Sequence, residues 1–494
     1  AVCSALALGV VYQLILVIMQ EFDGAQLWEK KWVALLGAAS LGFCPLFINQ
    51  SLITEVYTLS CLLQVLTWLC LACWWNGKWK LRWYFLFLGL ALAHHLTLLL
   101  FIPFQLLIIL LGFRLKGRNQ KEIILAAPWA LPGILLYAYI PIRAAMKPVI
   151  NWGDPSNLER FLWMLKGGDF RAFFRMDILF SDGMRFLVSE ILSFINRMEE
   201  QFSLLNFFLL TALVGLLRIR EKRFPERIVF PGVMILGAVF AAVYLSFYQV
   251  GDREVFYIAI YPTVSVGIAM GIWAVLSVLP KSCDVTSKGG LKGALRCHKF
   301  ETAIIIIIAA QILVQGLMNL TEQSSREDTG AEEYGKVIMD HLPDKCIVLT
   351  GLNPQHNDNS LYPLWYQKWA MKQKPDVVII ALNFLTRSWY KSQLPPDGIW
   401  FPDVDDYIRR GLVHEEPGMG PVFNYREDWV AAVRELIIMN QEQWEIYALS
   451  MMDELRPYYN VELVVQAPVK WLSRDEDYSV FLPDGKLYKL TPRK

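Results

Sequence analysis

The chain of 494 residues is 55% hydrophobic, carries a formal net charge of +1 and has a mean hydropathy of +0.35. This composition is too apolar for a soluble protein of such length, and its charges fall in short blocks between apolar runs, which excludes a nucleic-acid partner. We therefore predict a polytopic membrane protein with a soluble C-terminal part. Residue 1 is Ala within an apolar run, with neither an initiator Met nor a signal-peptide pattern, so we expect an N-terminal truncation.

Long apolar stretches predict the membrane-spanning helices. The stretch 83–112 is too long for one crossing and carries His94 and His95 at its centre, so we interpret it as two short helices that meet at the histidine pair. The sequence thus predicts about ten membrane helices, from apolar stretches at 1–19, 32–48, 54–75, 83–112, 123–142, 203–217, 228–248, 256–279 and 301–318.

The loops rich in Lys and Arg predict the orientation of these helices, because such loops stay on the cytoplasmic side. All four of them fit one side only if the stretch 83–112 crosses twice; they lie at 78–82, 114–121, 218–227 and 281–299. The opposite side then holds the histidine turn, a loop over 143–202 and everything after residue 318. A glycosylation sequon at Asn319 favours the lumen of the endoplasmic reticulum for that side.

The composition changes near residue 320. Beyond it, short β-branched runs at 346–350, 376–381, 444–449 and 461–465 alternate with amphipathic stretches, which predicts a soluble α/β domain with a largely parallel sheet. The predicted fold class is therefore an α-helical polytopic membrane domain over 1–320, with the lumenal loop 143–202, followed by a soluble lumenal α/β domain over 321–494. No glycine-rich phosphate-binding motif opens a helix of this domain.

Several polar residues stand where the predicted helices meet the far side of the membrane. Glu55 opens a predicted helix and is a candidate catalytic carboxylate; the alternative is a helix-start carboxylate that faces the positive end of the helix dipole. His94 and His95 point about 100° apart on a helix, so they cannot share a metal ion from one face. They are candidates to bind a lipid-linked phosphate, or else one of them makes a helix-packing hydrogen bond.

Two loops carry the remaining candidates. The loop Gly251–Glu254 is either a solvated turn or a binding site. In a binding site, the two acids that flank Arg253 would coordinate a divalent cation or orient Arg253 toward phosphate, and Asp252 is a candidate to bind sugar or acceptor. Arg143 is either a snorkelling side chain or a phosphate ligand. The stretch from Asn151 to Pro155 contains Asn151, Trp152 and Asp154, which suit sugar or acceptor binding, Trp152 by stacking. The simpler alternative is a turn in which Asp154 caps the following helix.

The eight cysteines show no pair-of-pairs spacing, so no zinc site is predicted, and a divalent cation is not indicated.

At this point the chain resembles the polytopic protein O-mannosyltransferases related to the GT-C superfamily, of the type that modifies plexin-like receptor ectodomains. The resemblance is strongest in four blocks: ITEVYTLSCLL (53–63), FLGLALAHHLTLLLFIP (87–103), YIPIRAAMKPVINWGDPSNLERFLW (139–163) and GDREVFYIAIYP (251–262). A fifth block, SLYPLWYQKWAMKQKPDVVIIALNFLTRSWY (360–390), is similar to the C-terminal region of the family.

The resemblance implies transfer of mannose from dolichyl-phosphate mannose to Ser or Thr of secretory and receptor ectodomains, at the lumenal face of the endoplasmic reticulum membrane. It also implies that the catalytic base is an acid in the first lumenal loop, upstream of residue 1, so the base is not identified here and the truncated chain is expected to be inactive on its own. The alternatives are a transporter or lipid-binding scaffold without catalysis, or a related enzyme that uses another lipid-linked sugar.

Overall fold

The structure is a computed structural model. It describes residues 1–21, 27–168, 173–206, 224–279, 299–322, 329–351, 357–391, 393–394, 398–416, 420–450, 453–468 and 485–493. Most of the predicted span 203–217 and of the basic clusters 218–227 and 281–299 lies outside these residues.

The chain divides into two compact units. Unit 1 contains Ala1–Ala138 and Phe173–Ser324, and unit 2 contains Tyr139–Ala172 and Ser325–Lys494. Residues 139–172, which include the Asn151 to Pro155 stretch, thus group with the C-terminal part of the chain. The predicted domain boundary at 320 stays a prediction.

The described part of unit 1 is mainly helical, with an isolated β-bridge between Phe174 and Tyr248. Its α-helices are Val2–Met19, Leu27–Gly42, Pro45–Leu52, Tyr57–Trp75, Arg82–His94, Ile102–Leu115, Lys121–Ala126, Leu131–Leu135, Ile178–Phe202, Phe224–Ser246, Tyr261–Ser277 and Lys299–Glu322. Short 3-10 segments extend or join them at Leu96–Phe101, Ala127–Ala130, Leu136–Ala138, Ser203–Leu205 and Arg253–Ala259.

Within the described residues, six helices are long and apolar enough to cross a membrane, and two bent helix pairs raise the number to eight if each pair is one span. The six are Val2–Met19, Tyr57–Trp75, Leu96–Leu115, Lys121–Ala145, Ile228–Ser246 and Phe300–Glu322. The bent pairs are Leu27–Gly42 with Pro45–Leu52, and Arg253–Ala259 with Tyr261–Ser277. The polytopic class is confirmed, and the number of ten helices stays a prediction.

The predicted break at the histidine pair is confirmed. Helix Arg82–His94 ends at His95, whose extended backbone (φ −151°, ψ 124°) starts the next helical segment. The His95 side chain accepts a hydrogen bond from the Thr97 N–H and so caps that segment. The chain reverses direction at this break. The basic loops that precede and follow the stretch 83–112 can therefore reach the same end of unit 1.

That end of unit 1, which we call the basic end, brings the first two basic loops together. Arg118 donates a 2.7 Å hydrogen bond to the carbonyl of Trp75, and Lys116 forms a 3.2 Å ion pair with Glu21. The first two basic loops therefore lie at the same end of unit 1, and their place on the cytoplasmic side stays a prediction.

Two glycines allow the closest helix crossing in this part of unit 1. A Cβ on Gly89 would lie 2.2 Å from the carbonyl oxygen of Ala130, and a Cβ on Gly133 would lie 2.0 Å from the carbonyl carbon of Gly89. Only residues without a side chain permit such an approach, as in the close helix pairs of other membrane proteins.

Unit 2 is an α/β unit, as predicted. Its helices are Tyr139–Ala145, Leu158–Leu165, Gly330–Asp340, Asn357–Trp365, Ser388–Lys391, Val404–Arg409 and Arg426–Asn440, with a π-helical turn at Tyr366–Ala370 and 3-10 turns at Leu382–Phe384 and Asp453–Leu455. Its strands are β1 (Ile347–Thr350), β2 (Val378–Ala381), β3 (Val413–Glu416), β4 (Gly420–Phe423), β5 (Ile446–Ala448), β6 (Tyr459–Gln466) and β7 (Lys486–Pro492).

The main sheet has the order β2-β1-β5-β7-β6, and β3 and β4 form a separate antiparallel pair. β1 pairs in parallel with β2 and β5, whereas β7 pairs antiparallel with β5 and β6. The expectation of a largely parallel sheet is therefore wrong for the part of the sheet formed by β5, β7 and β6. The reason is that β7, a strand that the sequence analysis did not predict, lies between β5 and β6. The three parallel strands form the buried centre: β1, β2 and β5 have no exposed residue.

Candidate functional site

Three motifs that are distant in sequence meet at one end of unit 1. The ring of Tyr57 lies 5.8 Å from the ring of His95 and 5.6 Å from that of Phe256, measured between centroids. The rings of His95 and Phe256 are 6.0 Å apart, and Tyr248 packs edge-on against Phe256 at 5.3 Å. We call Tyr57, His95, Tyr248 and Phe256 the aromatic cluster. It joins the segments that contain Glu55, the histidine pair and Asp252.

The aromatic cluster and the basic end lie at opposite ends of the same helix. Tyr57 is the first and Trp75 the last residue of a 19-residue helix. At 1.5 Å per residue, the two ends are about 28 Å apart, close to the thickness of the hydrocarbon core of a bilayer.

Two carboxylates border the aromatic cluster. Glu55 and Asp252 are both exposed, and both act electrostatically on the Tyr57 hydroxyl. Burial, and then the charge of Asp252, raises the pKa of Tyr248. The Glu55 carboxylate accepts a weak 3.4 Å hydrogen bond from the N–H of Val56 at the helix start. The geometry is thus compatible with both interpretations of Glu55 that the sequence allowed.

The two histidines have different surroundings. Nε2 of His94 donates a 2.9 Å hydrogen bond to the carbonyl of Val56, which holds the end of one helix against the start of another. Nδ1 of His95 lies 2.7 Å from the Thr97 hydroxyl and accepts from the Thr97 N–H, so Nε2 carries the proton of the neutral ring. Burial, and then the nearby His94, lowers the pKa of His95 to about 4. His95 is therefore a neutral donor at physiological pH.

Arg253 is held by an ion pair that the sequence analysis missed. Its Nη1 lies 3.1 Å from the Glu190 carboxylate and donates a 2.9 Å hydrogen bond to the carbonyl of Ser246. The two charged side chains are only 12% and 16% exposed. A second pair, Arg197 with Glu254, lies on the same helices. Arg253 thus has an acidic partner within the fold, and phosphate binding by this residue stays a prediction.

An apolar groove begins at the pair of Arg253 and Glu190. It has a volume of about 460 Å³, and Glu190, Ser246 and Tyr257 are among its lining residues. The rest of its wall is almost entirely aliphatic and aromatic, contributed by the helices Ile178–Phe202, Phe224–Ser246 and Tyr261–Ser277. A groove of this volume and polarity suits part of a hydrocarbon chain.

The Asn151 to Pro155 stretch lies in unit 2, where it is anchored to the C-terminal part. The Asn151 N–H donates to Oε1 of Gln393 at 3.0 Å, and Nε2 of Gln393 donates to the Asn151 carbonyl at 2.7 Å. Nδ2 of Asn151 donates to Asp154 at 2.9 Å, and Asp154 also pairs with Arg160. These contacts make the stretch a rigid loop.

The cap of the following helix differs from the sequence-based alternative. The side chain of Asn157 accepts a 2.9 Å hydrogen bond from the Arg160 N–H, so Asn157 is the N-cap of helix Leu158–Leu165. Asp154 is three residues too early for that role. Its backbone is in the left-handed region (φ 41°), and its carboxylate binds side chains instead.

Trp152 and Arg143 have very different surroundings. Trp152 packs against Phe384 at 5.1 Å and against Trp389 at 5.3 Å, within the core of unit 2. Arg143 is exposed, and its Nη1 lies 3.9 Å from the sulfur of Met146. Sugar stacking by Trp152 and phosphate binding by Arg143 stay predictions.

Asn319 is 7% exposed in helix Lys299–Glu322, and its Nδ2 donates a 2.7 Å hydrogen bond to the carbonyl of Phe43. A glycan on this nitrogen would require the buried side chain to become accessible. Glycosylation of Asn319 stays a prediction.

In the part of the chain that the structure describes, no group of three His, Cys, Asp or Glu side chains is arranged to hold a metal ion.

The sequence analysis missed Tyr57, Tyr248 and Phe256 as site residues, although each lies within ten residues of a motif that it selected. Aromatic residues near predicted helix ends are so common in membrane proteins that they carried no separate signal. Glu190 and Gln393 lie outside every selected motif, and only their tertiary contacts reveal them.

Residues 1–119 match the family model of the protein O-mannosyl-transferase TMEM260 N-terminal domain. The resemblance to protein O-mannosyltransferases is confirmed over this segment. It contains Glu55, Tyr57, His94 and His95, which form half of the site around the aromatic cluster. No curated protein sequence matches the chain.

Proposed function

We propose that the protein transfers mannose from dolichyl-phosphate mannose to Ser or Thr of secretory-pathway ectodomains, at the lumenal face of the endoplasmic reticulum membrane. The observation that supports this most strongly is the meeting of Glu55, the histidine pair and Asp252 at one end of unit 1. Three of these four residues lie in the segment that matches the mannosyltransferase family model.

In the proposed reaction, the oxygen of the acceptor hydroxyl forms a bond to the anomeric carbon of mannose. The bond from that carbon to the phosphate oxygen breaks, and dolichyl phosphate leaves with the electron pair. The acceptor proton passes to a carboxylate, for which Glu55 and Asp252 are the candidates among the described residues of unit 1. One in-line displacement of this kind inverts the configuration at the anomeric carbon.

The surroundings of the two carboxylates suit this chemistry. Both are exposed, so an acceptor can reach them, while the neutral His95 offers an Nε2–H donor beside them. A neutral hydrogen-bond donor can orient a sugar hydroxyl or a phosphate oxygen, and it does not compete with the carboxylate for the proton of the acceptor hydroxyl. The apolar groove that starts at Arg253 and Glu190 would take the first isoprenoid units of the donor.

The test is sugar transfer by the purified full-length protein in lipid nanodiscs, with labelled dolichyl-phosphate mannose and a folded receptor ectodomain. We expect Glu55→Gln or Asp252→Asn to lower kcat/KM about a hundredfold, the usual contribution of a general base. Glu21→Gln is the matched control, because Glu21 is a carboxylate of the same unit at the basic end.

Transfer that survives both substitutions would remove these carboxylates as the base and leave the enzyme class standing. If no acceptor consumes lipid-linked mannose, mannosyl transfer is wrong. Turnover of another lipid-linked sugar would then establish the related enzyme, and solute flux across liposomes would establish the transporter.

A further inference from the structure

Unit 2 contains a cleft that the proposed transfer reaction does not use. It has a volume of about 720 Å³ and lies between the rigid loop 144–156 and the helical segment that ends at Ala370. The lining residues on which the argument depends are Lys147, Asp154, Ser156, Trp365, Lys368 and Trp369. All of them belong to unit 2.

The backbone around this cleft is strained. Lys147 (φ 50°) and Asp154 (φ 41°) line one wall, and Lys372 (φ 58°) and Lys374 (φ 47°) follow directly after the other. Only one further described residue other than glycine, Ser203, has a positive φ. Such conformations cost free energy for residues with a Cβ, and they concentrate at ligand sites. Here they lie together at one cleft.

The second wall is also irregular. Helix Asn357–Trp365 continues as a π-helical turn, Tyr366–Ala370, and turns of this kind frequently mark functional sites. Lys368 is 6% exposed, and its ammonium group donates to the carbonyls of Pro375, at 2.8 Å, and Val377. The turn is therefore fixed by a buried cation and cannot relax into a regular helix without breaking these bonds.

The turn holds one indole ring at the cleft. The Lys368 ammonium lies 4.6 Å from the centroid of the Trp369 ring, which nevertheless remains 44% exposed. Trp365 lines the same wall and is half-buried. Trp152, the residue that the sequence selected for stacking, packs against Phe384 and Trp389 instead. The aromatic surface available to a ligand is thus that of Trp369 and Trp365.

The chemistry of the lining favours a neutral ligand with many hydroxyl groups. Asp154 is paired with Arg160, and the Lys368 ammonium is bonded to two backbone carbonyls, so neither charge is directed at a ligand of opposite charge. Asp154 and Ser156 offer oxygen acceptors, and Ser156 also offers a hydroxyl donor. A pyranose has an apolar C–H face that packs on the negative face of an aromatic ring, and a rim of hydroxyls that such polar groups can bind.

We propose that this cleft of unit 2 is a carbohydrate-binding site, in which Trp369 stacks on a hexose and Asp154 binds its hydroxyls. The site goes beyond the proposed transfer reaction, because binding needs neither the lipid donor nor turnover. The two proposals can fail separately. A protein that binds sugar in this cleft but transfers no mannose would contradict only the transfer reaction, and one that transfers mannose but binds no sugar in this cleft would contradict only the binding site.

The experiment is saturation-transfer NMR with methyl α-mannopyranoside and the whole protein in lipid nanodiscs. Alkyl glycoside detergents are excluded, because their headgroups are sugars. Loss of one stacking contact should raise the dissociation constant about tenfold, so Trp369→Ala should nearly abolish the signal. Tyr366→Ala is the matched control: Tyr366 is on the same turn, 46% exposed, and does not line the cleft. Asp154→Asn should weaken binding as well.

Saturable binding that is lost in Trp369→Ala and kept in Tyr366→Ala supports the site. Absence of binding by mannoside, glucoside and galactoside overturns it, as does binding that Trp369→Ala leaves unchanged. If an acceptor peptide without sugar displaces the mannoside, or if Trp369 is protected by lipid vesicles and by no sugar, the cleft has another ligand and the assignment is wrong.

Discussion

His95 has two roles that depend on its position between two helical segments. Its extended backbone ends one helix, and its Nδ1 caps the next by accepting from Thr97. The cap fixes the ring among Tyr57 and Phe256, where burial favours the neutral form. The same contacts that shape the turn therefore set the protonation state of the residue.

His95 should make the stability of the protein depend on pH. Its pKa is about 4 in the fold and ordinarily near 6.5, so between these values the unfolded chain takes up a proton that the folded chain does not. The free energy of unfolding should thus be highest above pH 6.5 and fall as the pH falls toward 4. The measurement is the thermal unfolding midpoint of the protein in nanodiscs against pH.

His95→Asn keeps a side-chain acceptor for the cap and should flatten this dependence between pH 6.5 and 4. The control is His341→Asn, which replaces an exposed histidine of unit 2. An unchanged pH profile in His95→Asn would show that His95 does not titrate in this window.

At the scale of elements, helix Tyr57–Trp75 connects the two functional ends of unit 1. Sixteen of its 19 residues are buried, and Thr67 inside it is hydrogen-bonded to a neighbouring helix. Nε2 of Gln105 donates a 2.9 Å hydrogen bond to Thr67, and the hydroxyl of Tyr84 donates to Oε1 of Gln105 at 3.1 Å. These bonds fix the helix relative to the turn at His95, so the aromatic cluster is assembled by helix packing.

The glycine crossing should be intolerant of any side chain. Gly133→Ala would place a methyl group 2.0 Å from the carbonyl carbon of Gly89, so the two backbones must move apart. We expect a loss of about 1–3 kcal/mol of stability, typical of overpacking, measured as a lower midpoint of thermal unfolding. Gly9→Ala is the control, because its Cβ would meet no atom within 4 Å. Equal midpoints for both variants would contradict the close approach.

At the scale of the molecule, unit 1 has a basic end and an end with the aromatic cluster. Lys and Arg residues of two loops occupy the first, and the exposed carboxylates Glu55 and Asp252 occupy the second. The basic end and the end with the aromatic cluster are joined by one helix. If that helix crosses the membrane once, the positive-inside rule requires the Lys and Arg residues to be concentrated at one end of it. The rule thus predicts that the two ends face opposite compartments.

Cysteine labelling in sealed microsomes tests this topology. In a background whose reactive native cysteines are replaced by serine, Lys80→Cys should react with a membrane-impermeant maleimide from outside. Asp252→Cys should react only after the membrane is permeabilised. Both positions are exposed in the fold, so the membrane alone should cause the difference. Labelling of both before permeabilisation would overturn the orientation.

The sequence by itself determined the polytopic class, the break at the histidine pair, the shared end of the first two basic loops and the α/β character of the C-terminal part. These follow from local properties: the length and polarity of apolar runs, the position of charges, and the periodicity of short strands. The resemblance to protein O-mannosyltransferases also needed only short motifs, and it is confirmed over residues 1–119.

Only the tertiary structure decided which residues meet. The pairing of Arg253 with Glu190, the anchoring of Asn151 by Gln393, and the packing of Trp152 inside unit 2 all join residues at least 60 positions apart. No local pattern specifies such contacts, because they depend on how helices and strands pack. For the same reason the sequence selected Trp152 for sugar stacking, whereas packing buries its ring in part and leaves Trp369 at the cleft.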